Sequence, residues 1–312
     1  MKRLTTEAFE RARHVLKTQA RPLDQALFEH RFEDAPASRV TDPLTAFQNP
    51  DGGFGHALEP DVRTPSSSAL ATGIALSILK ELHQPAQDPM VVDAVDYLQR
   101  TLNEERPVWR AVPEDVNDHP HAPWWHDEDG SLARTFDDFL VMPRAQLVAL
   151  LHHYGELVPA DWLDSLTEAT IADIEASEDQ VFEGGGDALR YALTLVETDA
   201  VPQRHKDRIL PRLRALADHV VCRAPETWDT YCATPLKIVP SPGSAVADLM
   251  WDDLQRNLDH IISRQTEAGA WEPTWTWGDA YPEAWEKARQ EWRGHVTLET
   301  LTSLEAFGRI DR

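Results

Sequence analysis

The sequence predicts an all-α protein built of stacked helical hairpins. Three observations carry that expectation. Apolar residues recur at helical spacing along most of the chain, strand-like alternation is almost absent, and a polar–turn–aromatic pattern recurs at successive helix exits. A chain of 312 residues can bury a sizeable core. No stretch is long or biased enough to act as a linker, so one domain spanning 1–312 is expected.

The elements follow in order. A first helix starts at Thr6 and carries Phe9, Ala12, Arg13 and Leu16. Pro22 opens a second, with Leu23, Ala26, Leu27 and His30 behind it. Ser66 to Ser68 cap a third, whose buried face uses Leu70, Gly73, Ile74, Ser77 and Ile78. Asp88 followed by Pro89 caps a fourth, with Val92, Val95 and Leu98. Pro143 starts the run Leu147, Leu150, Leu151, Tyr154. Further helices are expected at about 161–177, 187–197, 205–222, 244–265 and 297–307. Only the connections at about 104–142 and 266–284 are long, and their tryptophans argue against disorder.

The helix exits resemble one another. They read LTAFQNPDGGFG, VDYLQRTLNEERPVW, ADIEASEDQVFEGGG, ADHVVCRAPETW and LDHIISRQTEAGAW. Each has a polar residue (Gln48, Gln99, Glu178, Arg223, Gln265), a few turn residues and then an aromatic. Glutamine can bond orphan groups at helix ends, glycine supplies the positive φ of a helix stop, and the aromatic packs over the turn. Such units stack around a shared core and can close into a ring of inner and outer helices.

Gln265, Gly269 and Trp271 form a complete QxxxGxW. That is the repeat motif of the squalene-cyclase and protein-prenyltransferase toroids, and Gln48, Gly52, Gly53 and Phe54 resemble the prenyltransferase version. The resemblance implies an α/α toroid, a barrel with inner and outer helix rings and a cavity at one end. It does not carry the family's chemistry across. The DxDD of the triterpene cyclases is missing, and Asp137-Asp138 and Asp252-Asp253 fit neither it nor DDxxD. Asp229 and Cys232 only suggest the prenyltransferase zinc ligands, and no histidine partner is evident. No metal or other cofactor is expected.

The bulk composition narrows the partners. Lys plus Arg total 30 against 53 Asp plus Glu, a formal net charge of -23. That disfavours nucleic acid and anionic membranes, which need a basic surface. Cys222 and Cys232 are the two cysteines, too few for a disulfide scaffold, and no CxxC occurs. The apolar stretch 69–82 is broken by Thr72, Gly73, Ser77, Lys80 and Glu81, so no membrane span is expected. The first residues lack an apolar signal core, and a cytoplasmic protein is expected. The oligomeric state is open.

Three clusters of polar and aromatic residues are candidates for a site. The first is His56, Glu59 and Asp61, with Arg63 and the helix start at Ser66 to Ser68 following. Gly52, Gly53 and Gly55 are expected to leave its backbone open. An extended run would set His56 and Leu58 against Ala57 and Glu59. The second is HPHAPWWHDEDG, holding His121, Trp124, Trp125, His126, Asp127, Glu128 and Asp129. The third, in 270–295, holds Trp271, Glu272, Trp275 and Trp277, then Trp285 and Trp292 seven apart around Arg289. At least two of these clusters are expected to meet.

Three functions are then open. One is an enzyme on an isoprenoid or other apolar substrate, with tryptophans stabilising a carbocation and Glu59, Asp61 or Asp127 donating the proton. Another is a carbohydrate-active α/α barrel, which needs two carboxylates across a Trp-lined cleft, such as Glu59 or Asp61 facing Glu272 or Asp127. The third is a non-catalytic toroid that binds a peptide or small ligand. A glutamate precedes a proline after both complete turns, at Glu59 and Glu272, so these two carboxylates are the first candidates.

Overall fold

The computed structural model describes residues 1–128, 130, 132 and 141–311. Asp129, Asp137 and Asp138 lie outside the described residues. Among the described residues there are twelve α-helices and several short 3-10 turns, and β pairing is confined to isolated bridges. The fold class is therefore all-α.

The helices are α1 (Thr6–Gln19), α2 (Pro22–Phe32), α3 (Ser38–Leu44), α4 (Ala69–Glu81), α5 (Pro89–Thr101) and α6 (Arg144–His153). They continue as α7 (Ala160–Ala176), α8 (Asp187–Glu197), α9 (Gln203–Val220), α10 (Pro235–Ile238), α11 (Trp251–Ser263) and α12 (Pro282–Ala306). Local signals explain the starts. Thr5 caps α1 through Ala8 N, Ser68 caps α4 through Ala71 N, and Asp88 caps α5 through Met90 N. Pro22 and Pro89 stand in the first turns of α2 and α5, where the missing N–H costs nothing.

Some boundaries differ from those expected. The helix expected at 297–307 is the end of a single long helix starting at Pro282, because Gly294 fits against Ala20 and does not break it. The helix expected from 244 begins as a 3-10 turn at Ala247–Met250 and becomes α-helical only at Trp251. Helix α3 was not expected, since it is short and holds Pro43.

The chain divides into two compact units. One comprises 1–43, 184–186 and 217–312; the other comprises 44–183 and 187–216. In the first unit α1, α2 and α12 pack mutually, and α10 packs on α11. Its two chain ends join: Leu4 N donates to Arg309 O at 2.7 Å and Asp311 N to Leu4 O at 2.9 Å. In the second unit α4, α6 and α8 pack in succession, while α5 lies on α4 and α7 on α6.

The recurring helix exit proves to be one conformation, built twice. In the second unit Gln48 Nε2 donates to Gly52 O at 3.1 Å and to Met90 O at 3.4 Å. In the first unit Gln265 Nε2 donates to Gly269 O at 2.9 Å and to Ala8 O at 2.8 Å. Asn49 N bonds Gly53 O, and Thr266 N bonds Ala270 O, both at 2.9 Å. Phe54 N donates to Thr72 Oγ1, and Trp271 N to Thr297 Oγ1, both at 3.0 Å. Gly52 has φ 87° and Gly269 φ 98°, where L side chains are rare.

Three of the exit tryptophans also act as caps. Trp109 Nε1 donates to Leu98 O at 2.7 Å, Trp271 Nε1 to Ile261 O at 2.8 Å, and Trp228 Nε1 to Cys222 O at 2.6 Å. These carbonyls lie in or just past the last turn of a helix, and the Ile261 carbonyl also accepts from Arg264 N at 3.0 Å. Gln99 and Arg223 do not repeat the glutamine's role: Gln99 reaches Leu157 O, and Arg223 reaches Leu249 O and Asp253.

Candidate functional site

In the second unit the segment after the Gln48 turn does not run extended. His56 has φ 54° and Ala57 φ 60°, so two consecutive residues are left-handed. The alternation expected for this run is overturned: Leu58 is buried, His56 is exposed, and Ala57 is buried beside it. His56 Nε2 turns back to Asn49 Oδ1 at 2.9 Å. The glycines do not leave the backbone open either, since a side chain at Gly55 would meet the carbonyls of Pro65 and Ser66.

The segment instead forms one wall of a small recess with room for about one water molecule, lined by residues that include Gly55, Leu58, Glu59, Val62, Thr64 and Ser66. Glu59 is the one expected site residue in that lining. Asp61 is buried, 4% exposed. Arg63 reaches Pro60 O at 3.3 Å.

Clusters one and two are joined. Val62 and His121 form an antiparallel bridge, Ala122 N donates to Asp61 O at 2.9 Å, and Arg63 N donates to Pro120 O at 3.1 Å. Below the bridge Asp115 accepts from Thr64 Oγ1 at 3.0 Å and from Ser66 Oγ at 2.7 Å. This aspartate sits in a 3-10 turn, Glu114–Asp118, and had no sequence signal beyond its acidity. His121 is 2% exposed; its Nδ1 lies 2.6 Å from His119 O and its Nε2 3.0 Å from His126 Nδ1. The carbonyl requires a proton on Nδ1, so Nε2 accepts from His126. Burial lowers the His121 pKa and keeps the ring neutral.

Asp127 braces the same loop. It pairs with Arg110 at 3.0 Å and accepts from Leu132 N at 3.2 Å, while its backbone exchanges two bonds with Asn117. Trp125 is buried and Trp124 is 41% exposed. At the start of α4 lies a second recess of about 190 Å³, walled by Tyr97, Trp109, Arg110 and Glu114. The residues from Ser66 to Ala69 line the two recesses alternately.

On α8, Tyr191 was not singled out by the sequence. Burial raises the pKa of its hydroxyl, and the carboxylates of Asp187 and Glu59 raise it further. Glu59, Tyr191 and Asp187 therefore share one electrostatic neighbourhood.

In the first unit, Trp271 caps α11 as described. Glu272 pairs with Arg289 at 3.0 Å and with Arg293 at 2.9 Å. Trp275 meets Trp292 edge-on with ring centres 5.0 Å apart, and Trp277 lies 5.6 Å from Trp285. The seven-residue spacing on α12 thus presents one face that receives both loop tryptophans. Asp229 does have a histidine partner, His260 at 3.0 Å, but Arg264 at 2.9 Å shares the same carboxylate. Among the described residues no group of three or more His, Cys, Asp or Glu is placed to hold a metal ion. No described helix is long and apolar enough to cross a membrane.

Compared with protein-family models, curated proteins and solved structures, the chain matches none.

Proposed function

We propose that the chain is an α/α toroid of the terpenoid-cyclase and prenyltransferase type, and an enzyme that acts on an isoprenoid or other apolar substrate, with Glu59 as proton donor. The two QxxxG turns, alike in the glutamine bond to the glycine carbonyl and in the aromatic N–H bond to a threonine hydroxyl, support the fold reading. The site reading rests on one observation: Glu59 lines a recess beside Leu58, Val62 and Ala71, in the electrostatic neighbourhood of Tyr191. A carboxyl in a recess lined by Leu58, Val62 and Ala71 together with Thr64, Ser66 and Ser68 can act as a general acid toward an alkene. Tyr191, kept protonated, is a hydrogen-bond donor and an aromatic face for developing positive charge.

A second reading is favoured by the same tyrosine. Asp187 and Glu59 both act on it, and glycoside cleavage uses a pair of carboxylates, one on each side of the scissile bond. A thermal-shift screen with polyprenyl diphosphates and oligosaccharides, followed by product analysis, separates the two. Stabilisation by the diphosphate and its conversion are expected, with Glu59→Gln lowering turnover by about a hundredfold or more at unchanged melting temperature. Stabilisation by oligosaccharides alone would transfer the proposal to sugar chemistry. Turnover unaffected in Glu59→Gln would remove that residue from either role, and silence to both ligand classes would leave a non-catalytic toroid.

A further inference from the structure

The two cysteines stand ten positions apart in the first unit, and the chain folds so that they meet. Cys222 N donates to Ala233 O at 2.9 Å, which sets Cys222 beside the 232–233 peptide. The two thiols are in hydrogen-bond contact. Around them the backbone is held from several sides. Trp228 Nε1 donates to Cys222 O at 2.6 Å, Thr234 N to Cys232 O at 2.9 Å, and Ala233 N to Gly184 O at 3.1 Å. Cys232 Sγ donates to Thr227 O at 3.3 Å. Both thiols are free and half-buried, so a small oxidant can reach them.

We infer that Cys222 and Cys232 are a redox modification site, closing reversibly to an intramolecular disulfide when the protein meets a hydroperoxide. Cys232 Sγ spends its proton on the Thr227 carbonyl, and burial raises its pKa in the same direction, so Cys232 is the thiol that keeps its proton. Cys222 is then the attacking sulfur. Its thiolate attacks one peroxide oxygen, forming an S–O bond as the O–O bond breaks, which gives a sulfenic acid and a hydroxide that takes up one proton to become water. Cys232 attacks that sulfenic sulfur, the S–O bond breaks, and the Cys232 proton leaves with the hydroxide as a second water. Two thiols are oxidised and one hydrogen peroxide is reduced to two waters.

Closure would tie the ends of the loop between the cysteines. That loop carries Asp229, paired with His260 and Arg264, and Tyr231, whose ring lies 6.0 Å from Trp275 with the Lys237 ammonium 4.6 Å from its centre. Oxidation therefore acts on the edge of the tryptophan cluster and does not depend on the function proposed for the second unit.

The test is to treat the full chain with hydrogen peroxide, block remaining thiols by alkylation, and map the peptides. The expected product is monomeric, lighter by two hydrogens, with Cys222 and Cys232 in one cross-linked species that dithiothreitol reopens. Amide exchange in 223–233 is expected to slow on oxidation. In Cys232→Ser, Cys222 should stop at the sulfenic acid, captured by a dimedone probe. Independent over-oxidation of the two cysteines in the wild-type chain, full alkylation after peroxide, or disulfide-linked dimers in place of the internal bond would each overturn the inference.

Discussion

Asp24 shows how much a single buried charge depends on its neighbours. It is 1% exposed, and burial alone would raise its pKa. Arg21 at 2.8 Å and His295 at 3.8 Å outweigh that and hold it at about 2, against an ordinary 3.8. The ionised form is thus favoured by folding, worth about 2 kcal/mol at neutral pH. Because the folded value is the depressed one, this stability is complete above the unfolded value near 3.8 and disappears as pH falls through about 2. Asp24→Asn is expected to be less stable than wild type by about 2 kcal/mol or more at pH 7. The gap should close toward pH 2 in urea titrations. A gap independent of pH would show that the side chain's role is packing and not charge. The carboxylate of Glu299, about half exposed, is also lowered, with Arg31 at 2.8 Å and His295 favouring its charge, so it makes a smaller, solvent-screened contribution to the same acid limb.

The helix exit was the most legible element in the sequence. Its residues were nameable because one local geometry needs all of them: the glutamine to bond two carbonyls, the glycine to take positive φ, the aromatic to cover the turn. A side chain at Gly52 would run into the Asp93 carbonyl, and one at Gly269 into the Arg11 backbone. Gly52→Ala and Gly269→Ala are each expected to cost about 3 kcal/mol, from backbone strain and the clash together. Gln265→Ala should cost about 2 kcal/mol, since it leaves the Ala8 and Gly269 carbonyls without that donor. Chemical denaturation of each variant measures these losses; a neutral Gly269→Ala would mean the turn relaxes. The site was less legible. Glu59 could be singled out from its place after the turn, but its neighbours Tyr191 and Asp187 come from a helix far along the chain, and no local period links them. The left-handed pair His56 and Ala57 was also unreadable, because histidine is only modestly enriched in that conformation and alanine disfavours it.

Across the whole chain the charge imbalance sets behaviour in solution. Were each of the 30 lysines and arginines paired, 23 carboxylates would still lack a cation. Screening should therefore stabilise the protein: its melting temperature is expected to rise from 10 mM to 200 mM salt at pH 7, and solubility to be lowest near the sequence pI of 4.8. A melting temperature that falls with salt would mean that its ion pairs, such as those of Arg208 with Glu168 and Glu175, outweigh the net repulsion. The capping tryptophans add an optical consequence. Trp109, Trp228 and Trp271 are each at most 3% exposed, and each indole N–H is spent on a carbonyl at a helix end. Their emission is a built-in gauge of helix fraying. Single-tryptophan variants retaining one of the three would report, by red shift and quencher access, the order in which three separate helix ends let go.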